Sequence, residues 1–168
     1  TLIGAGPSAT GTVVEGSGNG NGLTVTSSDV IVKQLRIENY ANGITLNSVM
    51  SNLMFSHVYS VENSVRGMTV GGGADISQMT FEGVSLSQNE GDGMRASTQA
   101  KVDGLTIRDS HFDENVDASG SAGSGIEVYQ SSSNPGYVRN VLVKNTTFNG
   151  NSEKGLYLEK LSNATFDG

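Results

Sequence analysis

The sequence predicts an all-β solenoid of parallel strands, and three observations carry that prediction. Asparagines recur at a step of 26 residues, at Asn63, Asn89 and Asn115. Six glycines each open a short triplet in which an apolar, a polar and an apolar residue alternate in most cases. No stretch has an i, i+3, i+4, i+7 apolar pattern long enough for a helix. Self-similarity at a fixed period indicates coils that stack on one another.

The apolar positions recur at the same step as the asparagines. Three sets align across the repeats: Leu53, Met79 and Leu105; Phe55, Phe81 and Ile107; and Val58, Val84 and Ser110. A fourth unit keeps the internal spacing after a longer gap, with Val141, Val143, Thr146, Phe148 and Asn151. Asparagine tolerates a left-handed backbone, and its amide can bond the amide of the next coil about 4.8 Å away. We therefore expect a buried asparagine ladder that fixes the register.

Each glycine-led triplet predicts a short strand, one of two or three in each repeat unit, because alternation with a period of two is a strand signal. The triplets are Leu23-Thr24-Val25, Ile44-Thr45-Leu46, Met68-Thr69-Val70, Met94-Arg95-Ala96, Ile126-Glu127-Val128 and Leu156-Tyr157-Leu158. Equivalent strands in successive coils must stack in parallel, and we expect the glycines to form a second tight corner. The prediction is a right-handed parallel β-helix of about six to seven coils, a single domain over residues 1–168.

A family resemblance agrees with this fold. The segments Thr1-Leu2-Ile3-Gly4-Ala5-Gly6 and Thr12-Val13-Val14-Glu15-Gly16, together with the Asn–Gly repeat units, resemble the pectate-lyase-like superfamily of right-handed β-helices. That resemblance implies an extracellular or cell-surface protein. It also implies a polysaccharide partner, with polyuronate lyase or epimerase chemistry if the chain is catalytic. The superfamily contains many activities and inactive members, so whether this chain is an enzyme stays open.

The amino-acid composition argues against several classes of binding partner. A net charge of −7 without clusters of Lys and Arg argues against nucleic acid. The chain has neither a run of 18 apolar residues nor a basic amphipathic stretch, so we expect no membrane binding. The chain has no cysteine, which excludes disulfides and thiolate metal sites.

The two ends and two long turns are further features of the sequence. Neither end carries an amphipathic cap, so we expect further coils of a longer solenoid, or copies of the chain stacked end to end, to cover them. Two insertions, Val116 to Ser124 and Tyr129 to Gly136, flank one coil. Insertions in repeat proteins often map to the binding face.

The outward positions of the last three triplets supply the candidate site. Five residues fall on neighbouring rungs: Arg95, Glu127, Tyr129, Tyr157 and Glu159. Tyrosine rings stack on sugars and arginine pairs with a uronate carboxylate, so these five are the expected binding residues. If the chain is catalytic, Arg95 would neutralise the uronate, and Tyr157 or Tyr129 would act as base with a lowered pKa. The alternative is a structural Arg–Glu pair with tyrosine packing.

Metal sites receive little support from the sequence. His57 and His111 lack a clear third ligand, so we expect no transition-metal site. The acidic residues Asp103, Asp109, Asp113, Glu114 and Asp117 could hold Ca²⁺ but read more simply as a solvated turn region. The rival to a polysaccharide-binding role is a structural one, a rigid rod of an adhesin, tailspike or extracellular filament.

Overall fold

The computed structural model describes residues 1–117, 123–130 and 136–168, which form parallel strands wound into about six coils. The strands are β1 (Leu2–Ile3), β2 (Val13–Glu15), β3 (Asn21–Val25), β4 (Ile31–Glu38), β5 (Asn42–Leu46), β6 (Val49–Val61), β7 (Arg66–Val70), β8 (Asp75–Glu82), β9 (Met94–Ala96), β10 (Lys101–Arg108), β11 (Ile126–Val128), β12 (Tyr137–Lys144), β13 (Leu156–Leu158) and β14 (Leu161–Asp167). No helix occurs among these described residues. The predicted all-β solenoid is therefore confirmed.

The strands divide into two parallel sheets. Sheet A has the order β1-β4-β6-β8-β10-β12-β14, with β2 also paired to β4, and sheet B has the order β13-β11-β9-β7-β5-β3. From β3 to β14 the chain thus alternates between the two sheets, whereas β1 and β2 both pair with β4 at the start of sheet A. Sheet B contains the six predicted triplets in the predicted register, since Ile44 pairs with Met68 and Met68 with Met94. In sheet A, Phe55 pairs with Phe81 as predicted.

A third ladder lies beyond sheet A and consists of isolated parallel bridges. Ser85 bridges Tyr59 on one side and His111 on the other, and His111 bridges Thr147. The side chains that point inward beside this ladder include Phe112 and Phe148. Their rings extend the aromatic contacts of sheet A in a continuous series: Phe55–Phe81 at 5.7 Å, Phe81–Phe112 at 6.3 Å and Phe112–Phe148 at 5.4 Å between ring centroids.

The core is one continuous stack along the solenoid. The first residues of the sheet B triplets are expected to point inward, and Ile44, Met68, Met94 and Ile126 are at most 1% exposed, whereas Leu156 in the last triplet is only partly buried. The equivalent inward residues of sheet A, Phe55, Phe81 and Ile107, are likewise at most 1% exposed. At the last coil burial falls, and Phe166 is 52% exposed although it pairs with Val143 in register.

The asparagine ladder is present and buried. Asn63 donates its Nδ2 to Oδ1 of Asn89 at 2.9 Å, Asn89 does the same to Asn115 at 3.0 Å, and Asn115 to Asn151 at 3.0 Å. The same oxygens also accept the backbone N–H of the preceding asparagine. Tyr40 N donates to Oδ1 of Asn63 at the other end of the ladder. Each amide therefore bonds both the backbone and the side chain of its neighbour.

The conformational role expected for these asparagines is wrong. The left-handed residue is the one before each ladder asparagine, namely Glu62 (φ 55°), Gln88 (φ 58°), Glu114 (φ 56°) and Gly150 (φ 67°). Each asparagine side chain points inward to bond the amide of the next coil, and the residue before it adopts the left-handed backbone conformation that turns the chain. The asparagines fix the register through hydrogen bonds, and the preceding residues make the corner.

The triplet glycines do not form the expected corner either, because none of them has a positive φ. They are required for space. A Cβ on Gly67 would lie 2.7 Å from O of Gly93 and 2.9 Å from Nδ2 of Asn89. A Cβ on Gly93 would likewise lie 2.9 Å from Nδ2 of Asn115. The glycine and the asparagine are thus parts of one packing unit, since the amide ladder passes directly over the glycine backbone.

The two predicted insertions lie partly outside the described residues, which omit 118–122 and 131–135. Their assignment to a working face stays a prediction. At the first coil Leu2 is 46% and Ile3 63% exposed. Within the described part of the chain, no helix has the length and apolar character needed to span a membrane.

Candidate functional site

The outer face of sheet B carries three columns of side chains. The central column is the middle residue of each triplet: Thr24, Thr45, Thr69, Arg95, Glu127 and Tyr157. The residue before each triplet glycine forms a second column: Asn21, Asn42, Arg66, Asp92, Ser124 and Lys154. A third column follows the triplets and ends in Tyr129 and Glu159, whose backbones continue the parallel pairing. The central column changes from threonine to charged and aromatic residues at Arg95.

Arg95 lies at the centre of an ion-pair network. Its Nη1 is 3.0 Å from Oε2 of Glu127 and 3.7 Å from Oδ2 of Asp92. Oδ2 of Asp92 also accepts a hydrogen bond from Nε of Arg66 at 3.2 Å, and Oδ1 accepts one from the backbone N–H of Ser124 at 3.1 Å. The two carboxylates are nearly enclosed, with Asp92 2% and Glu127 8% exposed. The guanidinium of Arg95 is therefore held in place by two internal anions.

Burial changes the protonation of this network. The pKa of Glu127 is raised, chiefly because burial disfavours its charged form, while the nearby Arg95 partly counteracts that rise. Ser124, in the same network, is fully buried and its Oγ has no hydrogen-bond partner among the described residues.

A second group joins Tyr157, Glu159 and Gln130. Tyr157 Oη donates to Oε1 of Glu159 at 2.6 Å, and the backbone N–H of Gln130 donates to Oε2 of Glu159 at 2.6 Å. The hydrogen bond from Tyr157, followed by that from Gln130, holds the pKa of Glu159 below its usual range. The same bond to Glu159 raises the pKa of Tyr157. Both oxygens of Glu159 are thus fixed, and Tyr157 is a hydrogen-bond donor whose environment disfavours the tyrosinate.

Lys154 and Tyr129 complete the face. Nζ of Lys154 lies 4.5 Å from the ring centroid of Tyr157 and forms an ion pair with Glu153. The hydrogen bond to Glu153 is the largest cause that raises the pKa of Lys154. Tyr129 is 45% exposed and no cation lies over its ring among the described residues. We call the eight residues of this face the sheet B cluster: Asp92, Arg95, Glu127, Tyr129, Glu153, Lys154, Tyr157 and Glu159.

All five residues proposed from the sequence lie in this cluster, and the structure joins them in two pairs. Arg95 contacts Glu127, and Tyr157 contacts Glu159. Tyr129 stands beside them, and its side chain forms no hydrogen bond with the other four. The binding role of the five stays a prediction. Their catalytic assignment stays a prediction, which the raised pKa of Tyr157 disfavours.

The sequence interpretation missed Asp92, Lys154 and Gln130. The first two precede a triplet glycine, a position that was not treated as an outward column. The sign alternation from Arg66 to Asp92 along that column was the available signal. Gln130 lies in the second insertion, and its Oε1 accepts from the backbone N–H of Gln99 and Gly136. No pattern in the sequence marks that role.

The acidic residues considered for calcium are dispersed and have internal partners. Asp103 accepts from Arg139 and Asn140, and Asp113 accepts from Thr147 Oγ1 and Asn149 N. Asp109 and Glu114 accept from Asn145 and Gln88 respectively. His57 and His111 each contact a hydroxyl through Nδ1. Across the described ranges no three His, Asp or Glu side chains are grouped so that they could hold a metal ion.

Comparison with known proteins supports the fold and goes no further. No curated protein and no solved structure gives a match to this chain. A family model described as the right-handed β-helix region matches residues 4–168, nearly the whole length. That match agrees with the parallel coils, the two sheets and the stacked register described above. The chain belongs to the right-handed β-helix family.

Proposed function

We propose that this chain is a polysaccharide-binding β-helix and that its binding surface is the sheet B cluster. The observation that carries the proposal is the change in the central column. Threonines occupy the first three coils, whereas the last three present a guanidinium, a carboxylate and a tyrosine. The exposed ring of Tyr129 beside fixed hydrogen-bonding groups suits a sugar, which offers an apolar ring face and a rim of hydroxyls.

The geometry favours binding over lyase or epimerase chemistry. Both reactions need a free cation to neutralise a uronate and a base to remove the adjacent proton. Arg95 is already paired with Glu127 and Asp92, and Tyr157 donates to Glu159 with a raised pKa. We therefore propose a non-catalytic surface. A ligand of this class also suits the extracellular or cell-surface location that the family resemblance implies.

A structural rod is the second candidate, and the internal ladders favour it. The asparagine ladder joins four coils, and the phenylalanine contacts follow the same axis. Continuous ladders of this kind stiffen a solenoid along its length. In that role the relevant partners would be further coils or other copies of the chain, and the sheet B cluster would serve as surface packing.

The test is a titration of the chain with soluble polymers: alginate, pectate, a neutral glucan and a glucosamine polymer. We expect binding to at least one polymer, and about tenfold weaker binding of that polymer by Tyr129→Ala, which removes the exposed ring. The matched control is Tyr137→Ala, which removes a tyrosine from the outer face of sheet A. The proposal fails if no polymer binds, or if both substitutions change the affinity equally.

A further inference from the structure

The sheet B cluster contains an internal example of how it holds an ammonium group. Nζ of Lys154 lies over the ring of Tyr157 at 4.5 Å and forms an ion pair with Glu153. An aromatic ring face and a carboxylate together replace the water around the cation. The arrangement thus satisfies a primary ammonium from two directions.

A second ring and a second carboxylate stand on the same face, and among the described residues neither has a cation in direct contact. Tyr129 and Glu159 occupy the third column on successive coils, because Val128 pairs with Leu158 immediately before them and Glu159 N donates to Val128 O. In-register parallel neighbours on one face are about 4.8 Å apart. Among the described residues Glu159 forms no ion pair at contact distance, whereas Asp92, Glu127 and Glu153 all do. Lys160 and Lys154 act on its charge only from a longer range. The ring of Tyr129 is 45% exposed.

Glu159 is also preorganised as an anion. Its two oxygens accept from Tyr157 Oη and Gln130 N, both at 2.6 Å, so the carboxylate is held in one orientation. Each oxygen retains a further lone pair for an external donor. A ligand ammonium would meet a fixed charge beside an open aromatic ring, with little side-chain entropy to lose.

The same cluster is poorly suited to an anionic sugar. A uronate that approaches Arg95 must compete with Glu127 at 3.0 Å and Asp92 at 3.7 Å, both of which are buried. Asp92 would keep Arg66, but displacing Glu127 would leave a buried carboxylate without its ion-pair partner, which costs more than a surface pair returns. The net charge of −7 also repels a polyanion at long range.

We infer that Tyr129 and Glu159 bind the primary ammonium of an amino-sugar polymer. This inference rests on the proposed polysaccharide-binding function and names the class of ligand. The Tyr129 ring stacks on the sugar and faces the cation, while Glu159 accepts a charge-assisted hydrogen bond from the ammonium. Arg95 and Glu127 stay paired, and only the outer N–H groups of Arg95 are left to donate to the sugar hydroxyls.

The experiment compares two ligands that differ only at nitrogen, glucosamine hexamers with free amines and the same hexamers fully N-acetylated. At a pH where the amines are protonated, we expect the free-amine hexamer to bind at least about tenfold more tightly. Glu159→Gln keeps the shape of the side chain and removes its charge, so we expect it to abolish most of that preference. Glu82→Gln removes one carboxylate from sheet A and should leave the preference unchanged.

The outcomes separate this inference from the function on which it rests. Equal or tighter binding of the N-acetylated hexamer, of a neutral glucan or of alginate would overturn the inference and leave polysaccharide binding in place. Binding of none of these ligands would overturn both. Poly-lysine is included as a peptide source of ammonium groups, and if it bound more tightly than the hexamer and depended on Glu159, the amino-sugar assignment would be wrong. Thermal unfolding of each variant checks that the folded chain is compared throughout.

Discussion

Replacing Asn89 with alanine tests the asparagine ladder at its centre. The side chain is 2% exposed and forms five hydrogen bonds. Its Oδ1 accepts from N and Nδ2 of Asn63, and its Nδ2 donates to Oδ1 of Asn115 and to O of Ser60 and Ser87. The alanine variant removes all five, in a position that water cannot enter without opening the coil.

The expected loss of stability depends on which hydrogen-bonding partners of Asn89 keep another bond in the alanine variant. Nδ2 of Asn63 retains Ser60 Oγ and Val61 O, and Oδ1 of Asn115 retains the backbone N–H of residue 89. The backbone N–H of Asn63 loses the acceptor that it has among the described residues. One orphaned buried donor costs ~1–3 kcal/mol, and the lost amide bonds add to it. We expect Asn89→Ala to lower the free energy of unfolding by about 3 kcal/mol.

Urea unfolding followed by circular dichroism measures this change. Asn47→Ala is the matched control, because Asn47 is exposed on sheet B and lies outside the ladder. We expect that control to change stability by less than ~0.5 kcal/mol. A loss below about 1 kcal/mol in Asn89→Ala, or equal losses in the two variants, would show that the ladder does not fix the register in the way described.

Three further predictions address the core, the triplet glycines and the buried carboxylate. Phe81→Ala should cost ~3–5 kcal/mol in urea unfolding through the cavity it leaves, and a loss under ~1 kcal/mol would contradict its central position. Gly93→Ala places a Cβ 2.4 Å from O of Leu86 and should cost ~1–3 kcal/mol of stability. Gly73→Ala is the control, because its Cβ meets no atom within 4 Å and the change should be close to neutral. Similar losses in the two variants would show that the triplet glycines are not required by the lack of space for a side chain. Burial raises the pKa of Glu127, so its contribution to stability is fully present below its ordinary value of 4.5 and is lost as the pH rises through the raised value. Glu127→Gln should therefore gain stability relative to wild type across that window, and a pH-independent difference would show that the carboxyl is not perturbed.

The fold was predictable because the repeat constrains it many times over. A slip of one residue in any coil would turn Met68 or Phe81 outward, so the alternation fixes the strand register without further information. The exact role of each turn residue was less accessible. Asparagine and glycine both have turn preferences, which direct attention away from the residues that make the corner. In three coils these are Glu62, Gln88 and Glu114, residue types with no turn preference.

The candidate site was only partly predictable, for a different physical reason. A column of outward residues can be read from register alone, which is why Arg95, Glu127 and Tyr157 were found together. Their partners across columns depend on side-chain lengths and rotamers, which periodicity does not encode. Asp92 is an example, because its carboxylate contacts Arg95 from the neighbouring column, a contact that the repeat pattern does not indicate.

The separation of inner and outer positions explains how a β-helix can confine recognition to a few coils. Inward residues are locked by stacking, whereas an outward residue can change without altering the register of its strand. The sheet B cluster uses that freedom, since the threonine column gives way to Arg95 with no break in the ladder beneath it. The cluster is then rigid because its members hold one another, as Asp92 and Glu127 hold Arg95 and as Tyr157 holds Glu159. A ligand that meets such groups binds a surface ordered before it arrives, so the affinity depends on charge and ring placement more than on loop closure.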